Sequence, residues 1–165
     1  MKLCIDIGNS QIYGGLFDGE KLLSRFRRIT QRGASSDELG VFFRQVVREN
    51  GHDPADIQAV GFCSVVPDLN HSMINACRRY FSVEPFVLRA GVRTGLQIRY
   101  KNPAEVGADR IAGAVGAVAR YPGMNIIIID FGTATTVEAM SSRQEYLGGA
   151  IVPGLGISMR ALEQN

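Results

Sequence analysis

The chain has 165 residues, enough for one ordinary domain or for one domain plus part of another. Hydrophobic residues make up 45% and charged residues 21%, a globular balance that excludes disorder as the main state. Eighteen Lys and Arg against sixteen Asp and Glu leave a net charge of +2, and the arginines are scattered, which argues against a nucleic-acid protein held by bulk charge. An anionic small molecule remains compatible with that balance. Cys4, Cys63 and Cys77 are odd in number and lack CxxC spacing, so neither a disulfide framework nor a zinc site is indicated. His52 and His71 are isolated and read as surface residues. The opening MKLCIDIGNS turns polar too soon for a signal peptide, and no run approaches the ~20 apolar residues of a spanning helix. A soluble cytoplasmic protein without a membrane partner is the expectation.

Residues 2 to 28 read as a β-meander. Leu3, Ile5 and Ile7 alternate with Cys4 and Asp6, a strand that stops at Gly8-Asn9-Ser10. Ile12 to Phe17 ends at Asp18-Gly19, a dipeptide that favours a tight hairpin, and Leu22 to Ile29 supplies the third strand. Ser35 with Glu38 three residues on is a capping-box signature. Leu39, Phe42, Phe43, Val46 and Val47 then recur at helical spacing until Asn50-Gly51. Ile57 to Cys63 reads as a buried strand, Pro67 to Phe81 as a helix, and Phe86 to Leu88 as a short strand.

Asn102 and Pro103 fit the start of a further helix that continues from Ala104 to Arg120, where Pro122-Gly123 follows. Its interior is poor in bulk, and Gly113 and Gly116 leave two readings open: a small-residue packing seam, or close approach of another backbone or a ligand. Asn125 to Asp130 reads as a central strand buried on both faces. Strands at Thr135 to Met140 and Glu145 to Val152 follow, and Pro153-Gly154-Leu155-Gly156 leads into a last helix. Strands and helices alternate after the meander, a mixed α/β layered pattern.

Two segments repeat each other: Leu3-Cys4-Ile5-Asp6-Ile7-Gly8-Asn9-Ser10 and Ile127-Ile128-Ile129-Asp130-Phe131-Gly132-Thr133-Ala134. A carboxylate at a strand end can hold a hydrated cation, and the glycine lets backbone N–H groups approach a phosphate. One Asp-x-Gly alone is an ordinary hairpin turn. The pair at equivalent positions favours phosphate binding by two related halves. A nicotinamide-type fold fits poorly, because Gly8 leads into another strand and not into a G-x-G-x-x-G helix. A third cluster, Gly107-Ala108-Asp109-Arg110, puts a charged pair in an otherwise apolar stretch. It reads either as a solvated or structural ion pair, or as an anion-holding Arg110 beside a proton-accepting Asp109.

At these motifs the sequence resembles the type III pantothenate kinases, in the superfamily of acetate and sugar kinases, actin and heat-shock chaperones. The matching pieces are Asp6-Ile7-Gly8-Asn9-Ser10, Tyr100-x-x-Pro103, Gly107 to Arg110, Asp130 to Thr136, and Gly148 to Gly154, in the family's order. The resemblance implies duplicated ribonuclease H-like domains of the actin-like ATPase superfamily, each a mixed sheet flanked by helices. The first half would span residues 1–120, and 121–165 would open an incomplete second. It also implies ATP-dependent phosphorylation of pantothenate, the first step of coenzyme A synthesis. Asp6, Ile7, Gly8, Asn9, Ser10, Gln11, Ile12 and Tyr13 would form the first phosphate loop, and Thr133 would contact ATP in the second. Tyr100, Gly107, Ala108, Asp109 and Arg110 would line the pantothenate site, with Asp109 as proton acceptor. Asp130 would hold potassium or ammonium, Asp6 would reach magnesium through water, and the protein would be a homodimer. A non-catalytic regulator keeping the fold, and a sugar or acetate kinase of the same superfamily, are the competing readings.

Overall fold

In the computed structural model, which describes residues 1–164, the opening run folds by strict alternation. Leu3, Ile5 and Ile7 of β1 (Lys2–Ile7) are buried, while Lys2, Cys4 and Asp6 take the opposite face. β2 (Gln11–Asp18) and β3 (Lys21–Ile29) complete an antiparallel meander, turned at Gly19, whose φ of +56° suits a residue without a Cβ. α1 (Ser36–Glu49) starts at a complete capping box: the Ser35 N–H donates to the Glu38 carboxylate at 2.7 Å, and the Glu38 N–H donates back to the Ser35 hydroxyl. Leu39, Phe43 and Val47 fall one helical turn apart, and all three are buried. β4 (Ala59–Ser64), α2 (Pro67–Phe81) and β5 (Phe86–Leu88) follow.

The first sheet has the order β3-β2-β1-β4-β5, with β1, β4 and β5 parallel. The central place of β1 therefore carries Asp6 to the carboxyl edge of the sheet. α1 and α2 meet where Gly40 leaves room for the Tyr80 ring, since a Cβ there would fall on that ring. Arg44 donates to the Tyr80 carbonyl at 2.6 Å, and the Tyr80 hydroxyl donates to Asp37 at 2.8 Å. Cys77 is fully buried, and that burial pushes its thiol up to about 12, so it acts as packing and not as a nucleophile.

Contacts divide the chain into Met1–Leu88 and Arg89–Asn165. The second unit holds β6 (Gln97–Ile98), α3 (Ala108–Arg120), β7 (Ile126–Phe131), β8 (Ala134–Met140), β9 (Glu145–Pro153) and α4 (Leu155–Glu163). Its sheet runs β6-β9-β8-β7, antiparallel except for β6 beside β9.

α3 packs on β7 and β8, within the unit that begins at Arg89. Two expectations change. The helix expected from Pro103 is broken: Pro103–Glu105 makes one 3-10 turn, and α3 begins only at Ala108. Gly107, extended at ψ 144°, caps α3, and its carbonyl accepts from the Ile111 N–H at 3.1 Å. A glycine inside a helix would cost about 1 kcal/mol against alanine; as a cap it costs little, and Asp109 consequently stands in a first turn. Finally, β7 is an edge strand that pairs only with β8 among the described residues. Ile127, Ile129 and Phe131 are 63%, 53% and 68% exposed. α3 lies against β7 and β8, which leaves Ile126 and Ile128 half-buried, and no element of this unit covers the outer residues of β7. Composition records an affinity for burial, not the presence of a cover. Gly113 and Gly116 are exposed with open space beside them, so neither a packing seam nor a close backbone meets them among the described residues.

Candidate functional site

The first turn is held on every side. Asp6, next to last in β1, lies between β2 and β4, and its Oδ1 accepts a hydrogen bond from the Cys63 thiol at 3.3 Å. The Gly8 N–H donates to the Gln11 carbonyl at 3.0 Å, and a Cβ on Gly8 would lie 2.9 Å from that oxygen. Thr30 clamps the loop: its hydroxyl donates to the Gly8 carbonyl at 2.6 Å and its N–H to the Ser10 carbonyl at 2.9 Å. The Val65 N–H takes the Ile7 carbonyl at 3.0 Å. Ile7 and Ile12 are buried anchors, whereas Asn9, Ser10 and Tyr13 are exposed. Arg32 donates to Asn9 Oδ1 at 3.1 Å and lies 3.7 Å from Asp68, which adds a cation to the loop's edge. Tyr13 donates its hydroxyl to Gln11 Oε1 at 2.7 Å.

The second turn repeats the device with one residue fewer. Asp130 pairs with Thr136 across the β7–β8 hairpin, and the Gly132 N–H donates to the Ala134 carbonyl at 3.0 Å. The Gly154 N–H then donates to the Thr133 carbonyl at 3.2 Å, which sets the N-terminus of α4 against this turn. Asp130 and Thr133 are exposed. A Cβ at Gly154 would fall on the Thr133 and Gly132 carbonyl oxygens, so no other residue allows this approach. Gly154→Ala is expected to destabilise the unit by about 1–3 kcal/mol, seen as a lower denaturation midpoint. An unchanged midpoint would show that the turn yields freely.

The Gly107–Arg110 cluster opens α3. Asp109 is half-buried, and its Oδ1 accepts from the Arg110 N–H at 2.7 Å, one of the donors that a helix start leaves free. The Arg110 side chain turns inward to Glu138 of β8: Nε donates to Oε1 at 2.7 Å, with the two side chains only 12% and 3% exposed. Tyr100 precedes this cluster with its ring against Gly148, and Tyr146 of β9 lies fully buried, its ring centroid 5.9 Å from the Arg110 guanidinium carbon. Burial raises the Tyr146 phenol above its ordinary value, so it stays a hydrogen-bond donor. A cavity of about 310 Å³ in the same unit is lined by Arg89, Thr94, Ile98, Asn102, Pro103 and Ile111 among others, and by none of Tyr100 or Gly107 to Arg110.

No group of three or more His, Cys, Asp or Glu side chains capable of caging a metal occurs among the described residues. One carboxylate in each turn fits a magnesium ion that keeps waters and phosphate oxygens at Asp6, or a monovalent ion at Asp130, and does not fit an all-protein divalent site. Sequence reasoning missed Thr30, Arg32, Cys63, Glu138 and Tyr146. Glu138 alone carried a signal: a carboxylate between Val137 and Ala139, on the strand face shared with Thr136 and Met140.

The sequence model of the family described as type III pantothenate kinase matches residues 2–165. A type III pantothenate kinase of Legionella pneumophila (strain Corby) is 56% identical over 165 residues, covering 100% of this chain and 64% of that protein. One of Elusimicrobium minutum is 50% identical with the same coverage. The chain thus spans about 64% of the length of the curated relatives it matches. Among solved structures, Porphyromonas gingivalis acetate kinase superposes with a TM-score of 0.51 at 12% identity, covering 92% of this chain and 57% of that one. An Aquifex aeolicus Ppx/GppA phosphatase gives 0.53 at 12% identity, covering 97% and 54%. These likenesses establish the actin-like ATPase fold.

Proposed function

This chain belongs to the type III pantothenate kinase family, and from that membership we propose that the whole protein phosphorylates pantothenate with ATP. The product is 4′-phosphopantothenate, at the first step of coenzyme A synthesis. The observation that carries the reading within the chain is a half-buried carboxylate, Asp109, in the first turn of α3 beside the anchored guanidinium of Arg110. The loop from Asp6 to Tyr13 receives ATP phosphates, where Gly8, Asn9 and Ser10 offer backbone and side-chain donors. Thr133 contacts ATP from its own turn. Tyr100 and Gly107 to Arg110 line the pantothenate site, and Arg110 meets the substrate's carboxylate. The protein acts in the cytoplasm as a homodimer.

Phosphoryl transfer passes through a loose transition state, so the protein mainly positions groups and neutralises charge. A carboxylate is far too weak a base to ionise an alcohol beforehand. Asp109 therefore orients the primary hydroxyl and accepts its proton late, as the new O–P bond forms and the bond to ADP breaks. Magnesium, when bound with the nucleotide, neutralises phosphate charge; Asp6 would hold it through water, and Asp130 would hold potassium or ammonium.

The deciding experiment incubates the whole protein with ATP and pantothenate, or with ATP and a sugar or acetate. Phosphate transfer to pantothenate alone is expected. Transfer to a sugar or acetate, or ATP binding with no transfer at all, would overturn the reading. Replacing potassium by sodium is expected to slow the reaction, and equal rates would remove the role given to Asp130.

A further inference from the structure

Glu138 lies in the middle of β8, 3% exposed, and spends Oε1 on the Nε of Arg110 at 2.7 Å. A pair buried this deeply is weak evidence of stabilisation, since the desolvation of two charges often cancels their attraction. Its geometry suggests a different use. Glu138 engages Nε, while Nη2 of Arg110 is buried and has no hydrogen-bond partner among the described residues. The Tyr146 hydroxyl, on the next strand, is likewise buried without a partner. Gly149, in register opposite Glu138, leaves the space that Nη2 occupies, for a Cβ there would lie 2.8 Å from it. An arginine side chain is long and flexible, and its planar fork recognises a carboxylate well only when its orientation is held. Here one edge is tied to Glu138, a second terminal nitrogen is left with donor capacity, and a buried tyrosine ring and a glycine flank the group.

We propose that Glu138 is a positioning residue: it holds the Arg110 guanidinium from behind and so fixes the orientation of the fork that meets the carboxylate of the acceptor substrate. This rests on the reading of Arg110 given above. Glu138 touches neither substrate nor nucleotide and acts through Arg110 alone. A carboxylate is needed because a neutral amide would accept the Nε hydrogen more weakly and bring an N–H₂ of its own towards the cation.

The test uses the whole protein and steady-state kinetics with pantothenate and ATP varied separately. Glu138→Gln is expected to raise KM for pantothenate about tenfold, the loss typical of one charge-assisted hydrogen bond, with KM for ATP within about twofold. Glu138→Asp retains the charge but withdraws it by one methylene, and a KM between wild type and Glu138→Gln is expected. If Glu138→Gln fails to fold, the Asp variant carries the same measurement, and a wild-type KM in it overturns the proposal. Arg110→Met separates the role of Glu138 from that of Arg110. A raised pantothenate KM in Arg110→Met together with a normal one in folded Glu138→Gln overturns the positioning role alone. Normal values in both overturn the reading of Arg110 as well, and the proposal with it.

Discussion

Asp109→Asn in the whole protein is expected to lower turnover with pantothenate by about 10²–10⁴-fold, the range of a positioned general base, while KM for ATP stays near its wild-type value. The substitution is close to isosteric, and an amide oxygen still accepts from the Arg110 N–H that Asp109 holds at 2.7 Å. The start of α3 should therefore survive, with Gly107 still capping it. On the proposed reading, what disappears is the capacity to take the proton released when the hydroxyl oxygen bonds to phosphorus. The amide also offers N–H donors where an acceptor is needed, which misorients the hydroxyl. Turnover within a factor of a few of wild type would reject the base assignment. A large rise in KM for ATP would instead mean that the first turn of α3 has a role in holding the nucleotide.

Phe43→Ala is expected to destabilise the protein by about 3–5 kcal/mol, the usual cost of emptying a buried aromatic site. Phe43 is 0% exposed, with ring centroids 5.4 Å from Phe42 and 5.9 Å from Phe26. The three rings meet at angles of 53° to 73°, edge-to-face or tilted contacts that add to their burial. Neighbours can collapse only in part, because Leu39 and Val47 on the same helix face are themselves fully packed. The check is a denaturation midpoint, and a shift of less than about 1 kcal/mol would show that the site relaxes far more than its packing suggests. The loss would be one of stability, because none of these rings lies in the Asp6–Tyr13 loop.

Local chemistry was legible wherever neighbours in sequence decide the outcome. Ser35 and Glu38 form their box, Gly19 turns its hairpin, and Pro67 to Phe81 is helical over the residues its pattern marks. The two Asp-x-Gly segments each form an antiparallel hairpin whose glycine N–H closes the turn. Less visible were the groups that support those turns. Thr30 reaches Gly8 across 22 residues, Cys63 reaches Asp6 across 57, and Glu138 reaches Arg110 across 28. No local pattern encodes such a meeting, since it depends on which strands become neighbours and in what register.

The amino-acid order by itself determined the alternation of β1, the periodicity of α1 and α2, and the two acidic glycine turns, because each follows from the conformational preferences and polarity of adjacent residues. Tertiary structure decided that α3 starts at Ala108, that β7 pairs only with β8 among the described residues, and that Arg110 turns inward to Glu138. Burial and pairing are properties of what surrounds a residue: four consecutive isoleucines report a preference for cover, and only the packed chain shows which neighbours supply it.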